Sequence, residues 1–138
     1  MPITTYLANK TLDQRFGKQS YTDPSTLYFG LCTGCTIAGV VTGEPTIGVN
    51  GYARVAVVNN DIATTWSAAA AEVKTNANST IQWPAITGSP WGTLTVCIIS
   101  DAASGGNILW YGTLGSPIVT AVGMQPFIPV DDITITLS

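Results

Sequence analysis

The sequence predicts a mostly β, single-domain fold: a β-sandwich or barrel-like arrangement of short antiparallel strands with one short N-terminal helix. Three observations carry this expectation. Apolar runs of strand length are separated by turns rich in Gly, Pro, Asn and Asp; Thr, Val and Ile, which suit a pleated surface, crowd those runs; and helical spacing of apolar residues occurs once, near the start. The 138 residues contain no internal repeat and no linker-like stretch, so residues 1–138 read as one domain. A chain of that length buries roughly two-thirds of its unfolded surface, enough for one core.

The helix is expected at about residues 4–17. Thr4 or Thr5 can cap it, Tyr6, Leu7, Leu12 and Phe16 form an imperfect apolar stripe, and Gly17 supplies a stop. Tyr21 to Pro24 reads as a turn, and Leu27 to Cys32 as an apolar, aromatic strand. Thr33 to Val49 holds enough Gly to read as a loop or a loosely paired excursion. Gly51 to Val58 alternates as a half-buried strand, with Tyr52, Arg54 and Ala56 on one face and Ala53, Val55 and Val57 on the other. Asn59-Asn60-Asp61 signals a turn, and Thr64 to Lys74 reads as a loop containing one helical turn at most.

Thr80 to Pro84 is a short strand, ended by a proline that has no N–H to give to a ladder. Trp91 to Ile99 is the strongest strand signal in the chain. It is joined by the loop Asp101 to Asn107 to a partner strand at Ile108 to Leu114. Both runs are apolar on both faces, so this hairpin is expected at the centre of the domain with both faces covered. Met124 to Pro129 and Ile133 to Leu137 supply two more strands, which places the C-terminus in a sheet.

Composition restricts the function classes. Hydrophobic residues make up 46% of the chain and charged residues only 9%, well under the average of about 25%. The exterior must therefore be rich in Thr, Ser, Asn and Gly. A surface so poor in charge suits coverage by another subunit, as in an assembly. The net charge is −3 and the basic residues Lys10, Arg15, Lys18, Arg54 and Lys74 are scattered, which leaves no footprint for nucleic acid. No apolar run approaches the length needed to cross a bilayer, and Met1 to Thr5 lacks the charged and apolar regions of a leader, so synthesis in a cytoplasm is expected.

Chemistry is scarce. Histidine is absent, which removes the usual Ser-His-Asp and Cys-His catalytic arrangements and the commonest metal ligand. Cys32-Thr33-Gly34-Cys35 has metal-knuckle spacing, but a zinc site needs about four ligands and only Cys97 remains. The odd count also argues against a disulfide framework, and the three read as ordinary thiols. Asp131-Asp132, the one adjacent acid pair, would point to opposite faces of a strand and reads as a solvated turn. Gly105-Gly106 lacks the spacing and following helix of a nucleotide loop. Trp66, Trp83, Trp91 and Trp110, with Tyr52 and Tyr111, could stack sugars, yet aromatics on short strands more often fill a small β core or a subunit interface. No catalytic residue, cofactor or metal is expected. The candidate partner contact is the hairpin tip, Ser104, Gly105, Gly106 and Asn107.

The ordered series Leu27-Tyr28-Phe29-Gly30-Leu31-Cys32-Thr33, Gly51-Tyr52-Ala53-Arg54-Val55-Ala56, Ile81-Gln82-Trp83-Pro84, Trp91-Gly92-Thr93-Leu94-Thr95 and Asp101 to Gly112 resembles the small virion proteins of tailed bacteriophages, variously labelled capsid decoration, cement or tail-fibre proteins. The likeness spans nearly the whole chain and is weakest around Cys35 to Val41. It implies a non-enzymatic structural protein of the virion. The first expectation is a capsid decoration (cement) protein on the outer capsid surface, bridging major capsid protein subunits and touching copies of itself as a homo-oligomer or in a lattice. The alternative is a tail or tail-fibre component that serves tail assembly or host attachment.

Overall fold

In the computed structural model, which describes residues 1–59, 66–76 and 78–136, the chain opens with helix α1, Thr5–Arg15. Thr4 is its N-cap. The Thr4 hydroxyl also donates to the carbonyls of Ile108 and Leu109, and its N–H donates to Leu109 at 2.9 Å, so the residue that starts the helix also docks it. Gly17 takes φ +79° just beyond the C-cap Phe16, the left-handed stop that its sequence position predicts. The apolar stripe is narrower than predicted. Only Leu7 is buried, while Leu12 and Phe16 are exposed, Phe16 to 83%, because α1 rests on the sheet by its first turns alone.

Strand β1 is Thr26–Cys32, β2 Gly34–Cys35, β3 Val41–Thr42, β4 Val55–Val58, β5 Val73–Thr75 and β6 Ile81–Gln82; β7 follows at Thr93–Ser100, β8 at Ile108–Val119, β9 at Phe127–Ile128 and β10 at Thr134–Thr136. The main sheet is four-stranded and antiparallel in the order β4-β1-β7-β8, with the pairs β10-β5, β2-β3 and β6-β9 around it. The fold is mostly β, with one helix and no closed barrel among the described residues.

Strand periodicity explains the two-sided burial of β1 and β7. Phe29 opposite Ile99 and Leu31 opposite Cys97 face the main cluster, which also holds Leu7, Tyr52, Trp83 and Leu109. The intervening residues Cys32, Val96 and Ile98 turn to the other face, where with Ile108 they are packed against Cys35, Val41 and Tyr111. The β2-β3 hairpin, read as a loose excursion from its glycines, thus contributes cover for the second face.

Two expectations need correction. The β7-β8 hairpin exists, but only β7 is central: β8 is an edge strand, and beyond Leu109 its residues are half-buried or exposed. Its free edge is managed in two ways. Ile3 bridges to Trp110 and the Tyr111 N–H donates to Pro2, so the N-terminal residues cover the first part. Farther along, the register shifts so that Leu114 to Pro117 stand opposite Thr95 alone, and this bulge with its proline spoils the edge as a pairing template. The second correction is β4, which begins at Val55 and not at Gly51. Gly51 has φ +80° and sits in a turn whose shape sends the Tyr52 ring into the core, so strand alternation does not govern residues 51–54.

Asn60 and Asp61 of the expected turn, Thr64 and Thr65 of the expected loop and Leu137 of the last strand lie outside the described residues. Where described, the 66–76 stretch holds β5 and a tight turn at Ala71-Glu72 in place of a helical turn.

Candidate functional site

The predicted contact residues Ser104, Gly105, Gly106 and Asn107 are all exposed, together at the tip of the β7-β8 hairpin. The loop is held from inside. Asp101 accepts from the Asn107 N–H at 2.7 Å and from its amide side chain at 2.8 Å, while the Asp101 N–H donates back to the Asn107 carbonyl at 3.1 Å. The Ser100 hydroxyl donates to Gly105 O at 3.3 Å and accepts from the Ala102 N–H at 3.2 Å. Gly106 adopts φ +70°, and a Cβ there would collide with the Asp101 carboxylate and sit 2.6 Å from the Ala102 Cβ. Only glycine closes the loop in this form.

The strongest restraint comes from a residue far away in sequence. Arg54 donates through Nη1 to the carbonyls of Ala102 and Gly105, both at 2.9 Å. Its Nε and Nη2 grip the two carboxylate oxygens of Glu44 at 2.8 Å each, a bidentate pair with side chains only 4% and 16% exposed. Glu44 Oε1 also accepts from the Tyr52 hydroxyl at 2.9 Å, and that hydroxyl accepts from the Leu31 N–H at 2.9 Å. The network runs from β1 through Tyr52, Glu44 and Arg54 to the loop tip. Its hydrogen bonds to Glu44 push the Arg54 pKa up, and burial, followed by the Glu44 charge, pushes Tyr52 up, so both stay protonated. Gly30 makes room for it: a Cβ there would lie 2.9 Å from both Glu44 Oε1 and Ile98 Cγ1.

Sequence reasoning missed this network because it placed Arg54 on a strand face, among the scattered basic residues, and looked for no partner to it. A signal was present: in a chain with few charges, one acid in a Gly-rich stretch and one Arg in an apolar stretch are natural candidates for each other.

The remaining candidates have ordinary surroundings. Cys32, Cys35 and Cys97 are free thiols; Cys32 donates to Gly34 O at 3.4 Å, and burial pushes it up to about 11. Burial also raises Cys35 and Cys97, so none is a ready thiolate. Among the described residues no group of three or more Cys, Asp or Glu is placed to hold a metal ion. Asp131 and Asp132 form an exposed turn in which Asp131, at φ +63°, accepts from the Thr75 hydroxyl at 2.7 Å.

The aromatic set divides. Trp83 and Tyr52 are core residues, and Trp91 stands edge-on to Tyr52 at 5.0 Å while donating to Asn50 O at 2.9 Å. Tyr111 packs on the second cluster. Trp66 and Trp110 are half-buried and border one cleft of about 310 Å³. No described helix is long and apolar enough to cross a membrane.

With this geometry in place, comparison with known proteins gives one family. The model described as Gp80, podophage GP4 fiber I protein gp80, matches residues 2–136. No curated protein sequence matches the chain.

Proposed function

Because the chain belongs to the podophage GP4 fiber I protein gp80 family, and is thereby a structural protein of a bacteriophage virion, we propose that it is a fibre subunit, fixed to the particle through the loop Asp101 to Asn107 and packed against copies of itself. The observation that carries this reading is the match to a fibre protein along nearly the whole length. The sequence alone ranks a decoration role first and a tail or fibre role second; the family's description leans toward the second.

The geometry supports a docking role for the loop. A tip whose carbonyls are pinned by Arg54 and whose ends are tied by Asp101 and Asn107 has little freedom left to lose, so binding it costs little ordering entropy. For contact between copies, Val119, Val122, Met124 and Phe127 expose apolar side chains at the end of β8 and beyond it, so association can cover them without opening the sheet. The network turns its polar groups inward to hold the loop, and no catalytic role is assigned to it.

Copy number tests the proposal. A fibre subunit is expected at well under about one copy per ten major capsid proteins in purified particles, as belongs to a structure at a few symmetry positions. A copy number near that of the major capsid protein would move the chain to the outer capsid surface, with the major capsid protein as its partner. In either location, Ser104→Trp should leave the melting temperature unchanged and lower incorporation into particles. Unimpaired incorporation would remove the loop from the docking surface.

A further inference from the structure

A cleft of about 310 Å³ opens between α1, the approach to β1, the turn before β5 and the start of β8. Its floor is apolar, with Leu7, Leu27 and Leu109. Three aromatic rings, Tyr21, Trp66 and Trp110, border it, and Asp23, Glu72 and Lys74 stand at its rim. Small-molecule sites have this build: mostly apolar and aromatic, with a few converging polar groups.

Two independent features mark the cleft. Among the described residues, the buried side-chain polar atoms without a hydrogen-bond partner are Tyr21 Oη, Trp66 Nε1, Trp83 Nε1 and Trp110 Nε1. The residues that carry them, all but Trp83, line this cleft, and an orphaned buried donor is costly enough that a cluster of them calls for an explanation. Burial, with smaller contributions from Tyr6, Asp23 and Asp101, pushes Tyr21 up to about 12, so its hydroxyl remains a donor at neutral pH.

The second feature is strain. Ala71 and Glu72 are consecutive non-glycine residues at φ +49° and +64°, closing a tight turn in which the N–H of Ala70 donates to Val73 O and that of Val73 to Ala70 O. Such turns ordinarily carry Asn-Gly. A strained backbone that places a carboxylate at the mouth of a cleft points to use of that carboxylate.

We propose that this cleft binds one ring of an uncharged saccharide, stacking its C–H face on the Trp66 and Trp110 rings. The donors at Tyr21, Trp66 and Trp110 lack acceptors within the fold, and the exposed carboxylates of Asp23 and Glu72 can take donors from a ligand. A polyhydroxylated ring offers both from the same hydroxyls. An anion only accepts and would meet two carboxylates against one ammonium; an apolar ligand would leave every polar group unmatched. The inference stands on the cleft and holds whether the subunit belongs to a fibre or to the shell.

The test titrates the purified chain with methyl glucoside, methyl mannoside and N-acetylglucosamine, with glucuronate as the charged control and trialanine as a peptide control, following heat and tryptophan fluorescence. Saturable millimolar binding of at least one uncharged sugar is expected, tighter than glucuronate. Affinity should fall about tenfold in Glu72→Gly and in Asp23→Asn. Glu72→Gly should melt at or above the native temperature, because glycine relieves the turn while removing the carboxylate; Trp66→Phe, which keeps a ring and loses the N–H, should also bind more weakly. The proposal is overturned if no uncharged sugar binds saturably, if glucuronate or trialanine binds better than all of them, or if Glu72→Gly and Asp23→Asn leave the affinity unchanged.

Discussion

Arg54 holds Glu44 through two hydrogen bonds of 2.8 Å, and the nitrogen left over secures the loop at Ala102 and Gly105. Replacing one partner strands the other in a mostly buried place, so Arg54→Met is expected to cost about 3 kcal/mol, the lower end for a broken buried pair because Glu44 keeps some solvent contact. Arg54→Lys should recover only part of it, since an ammonium cannot span both the carboxylate and the loop carbonyls. Urea melts give the energies. Hydrogen exchange should show the Ala102 to Asn107 amides losing protection in Arg54→Met; an unchanged loop would mean that Asp101 and Asn107 alone hold it.

Alkaline pH should destabilise the protein. Burial raises the folded pKa of Cys32 from 9.0 to about 11 and that of Tyr21 from 10.0 to about 12, and it raises Cys35, Cys97 and Tyr52 as well. In each case the unfolded chain loses its proton first, so it binds fewer protons than the folded one and stability falls as pH rises. The contribution is fully present below pH 9.0 and is lost as pH climbs through the folded values. Cys32 and Cys97 should each contribute a slope of about 1.4 kcal/mol per pH unit once the unfolded thiols have ionised. Melting temperature measured from about pH 7 to 11 checks this, and Cys97→Ala should flatten the slope whatever it does to the absolute value. A flat profile would show that the thiols are open to solvent.

Core and tip should respond differently to truncation. Leu109 is 1% exposed and packed in the main cluster, so Leu109→Ala is expected to cost ~2–5 kcal/mol. Ser104 is exposed, and Ser104→Ala should stay within roughly 0.5 kcal/mol. Chemical denaturation of both variants gives the comparison. A harmless Leu109→Ala would mean that the sheet at β8 repacks freely.

These residues also show what the sequence makes legible. The runs behind β1 and β7 announce themselves because both faces are apolar over a strand's length, and the loop between β7 and β8 because Gly105 and Gly106 take positive φ. Position within the sheet is less legible. β8 is as apolar as β7 where it begins, and its place at the edge follows from the strand order β4-β1-β7-β8, which leaves no local pattern. Helix spacing likewise suggested burial of Leu12 and Phe16 without revealing that α1 reaches the core through its first turn, by Thr4, Tyr6 and Leu7. In the site, the loop was found by its own turn chemistry. Arg54 was not, because its partners there are backbone carbonyls 48 and 51 positions away, and a carbonyl has no signature in sequence.

Asn76 gives the sharpest test of such long-range polar contacts. Fully buried, it donates through Nδ2 to Ser79 O at 3.0 Å and Pro129 O at 2.8 Å, and accepts at Oδ1 from the Ile133 N–H at 2.9 Å. It thereby joins the end of β5 to the turn between β9 and β10. Asn76→Ala removes all three bonds and orphans the Ile133 N–H, for an expected cost of roughly 2–4 kcal/mol. Asn76→Asp keeps the shape and the acceptor but turns an oxygen toward two carbonyls, so at neutral pH a buried carboxylate would face like dipoles and should cost more than the alanine. The sign of its pH dependence follows. Burial and the carbonyls would raise the new carboxyl's folded pKa, because only the protonated form can donate. The unfolded state would then give up its proton first, and the variant's deficit should shrink as pH falls below that raised value. Melts at about pH 7 and pH 5, compared with native and Asn76→Ala chains under the same conditions, should show Asn76→Asp recovering relative to both. A deficit equal to the alanine's at both values would show that Nδ2 is not the donor that closes this junction.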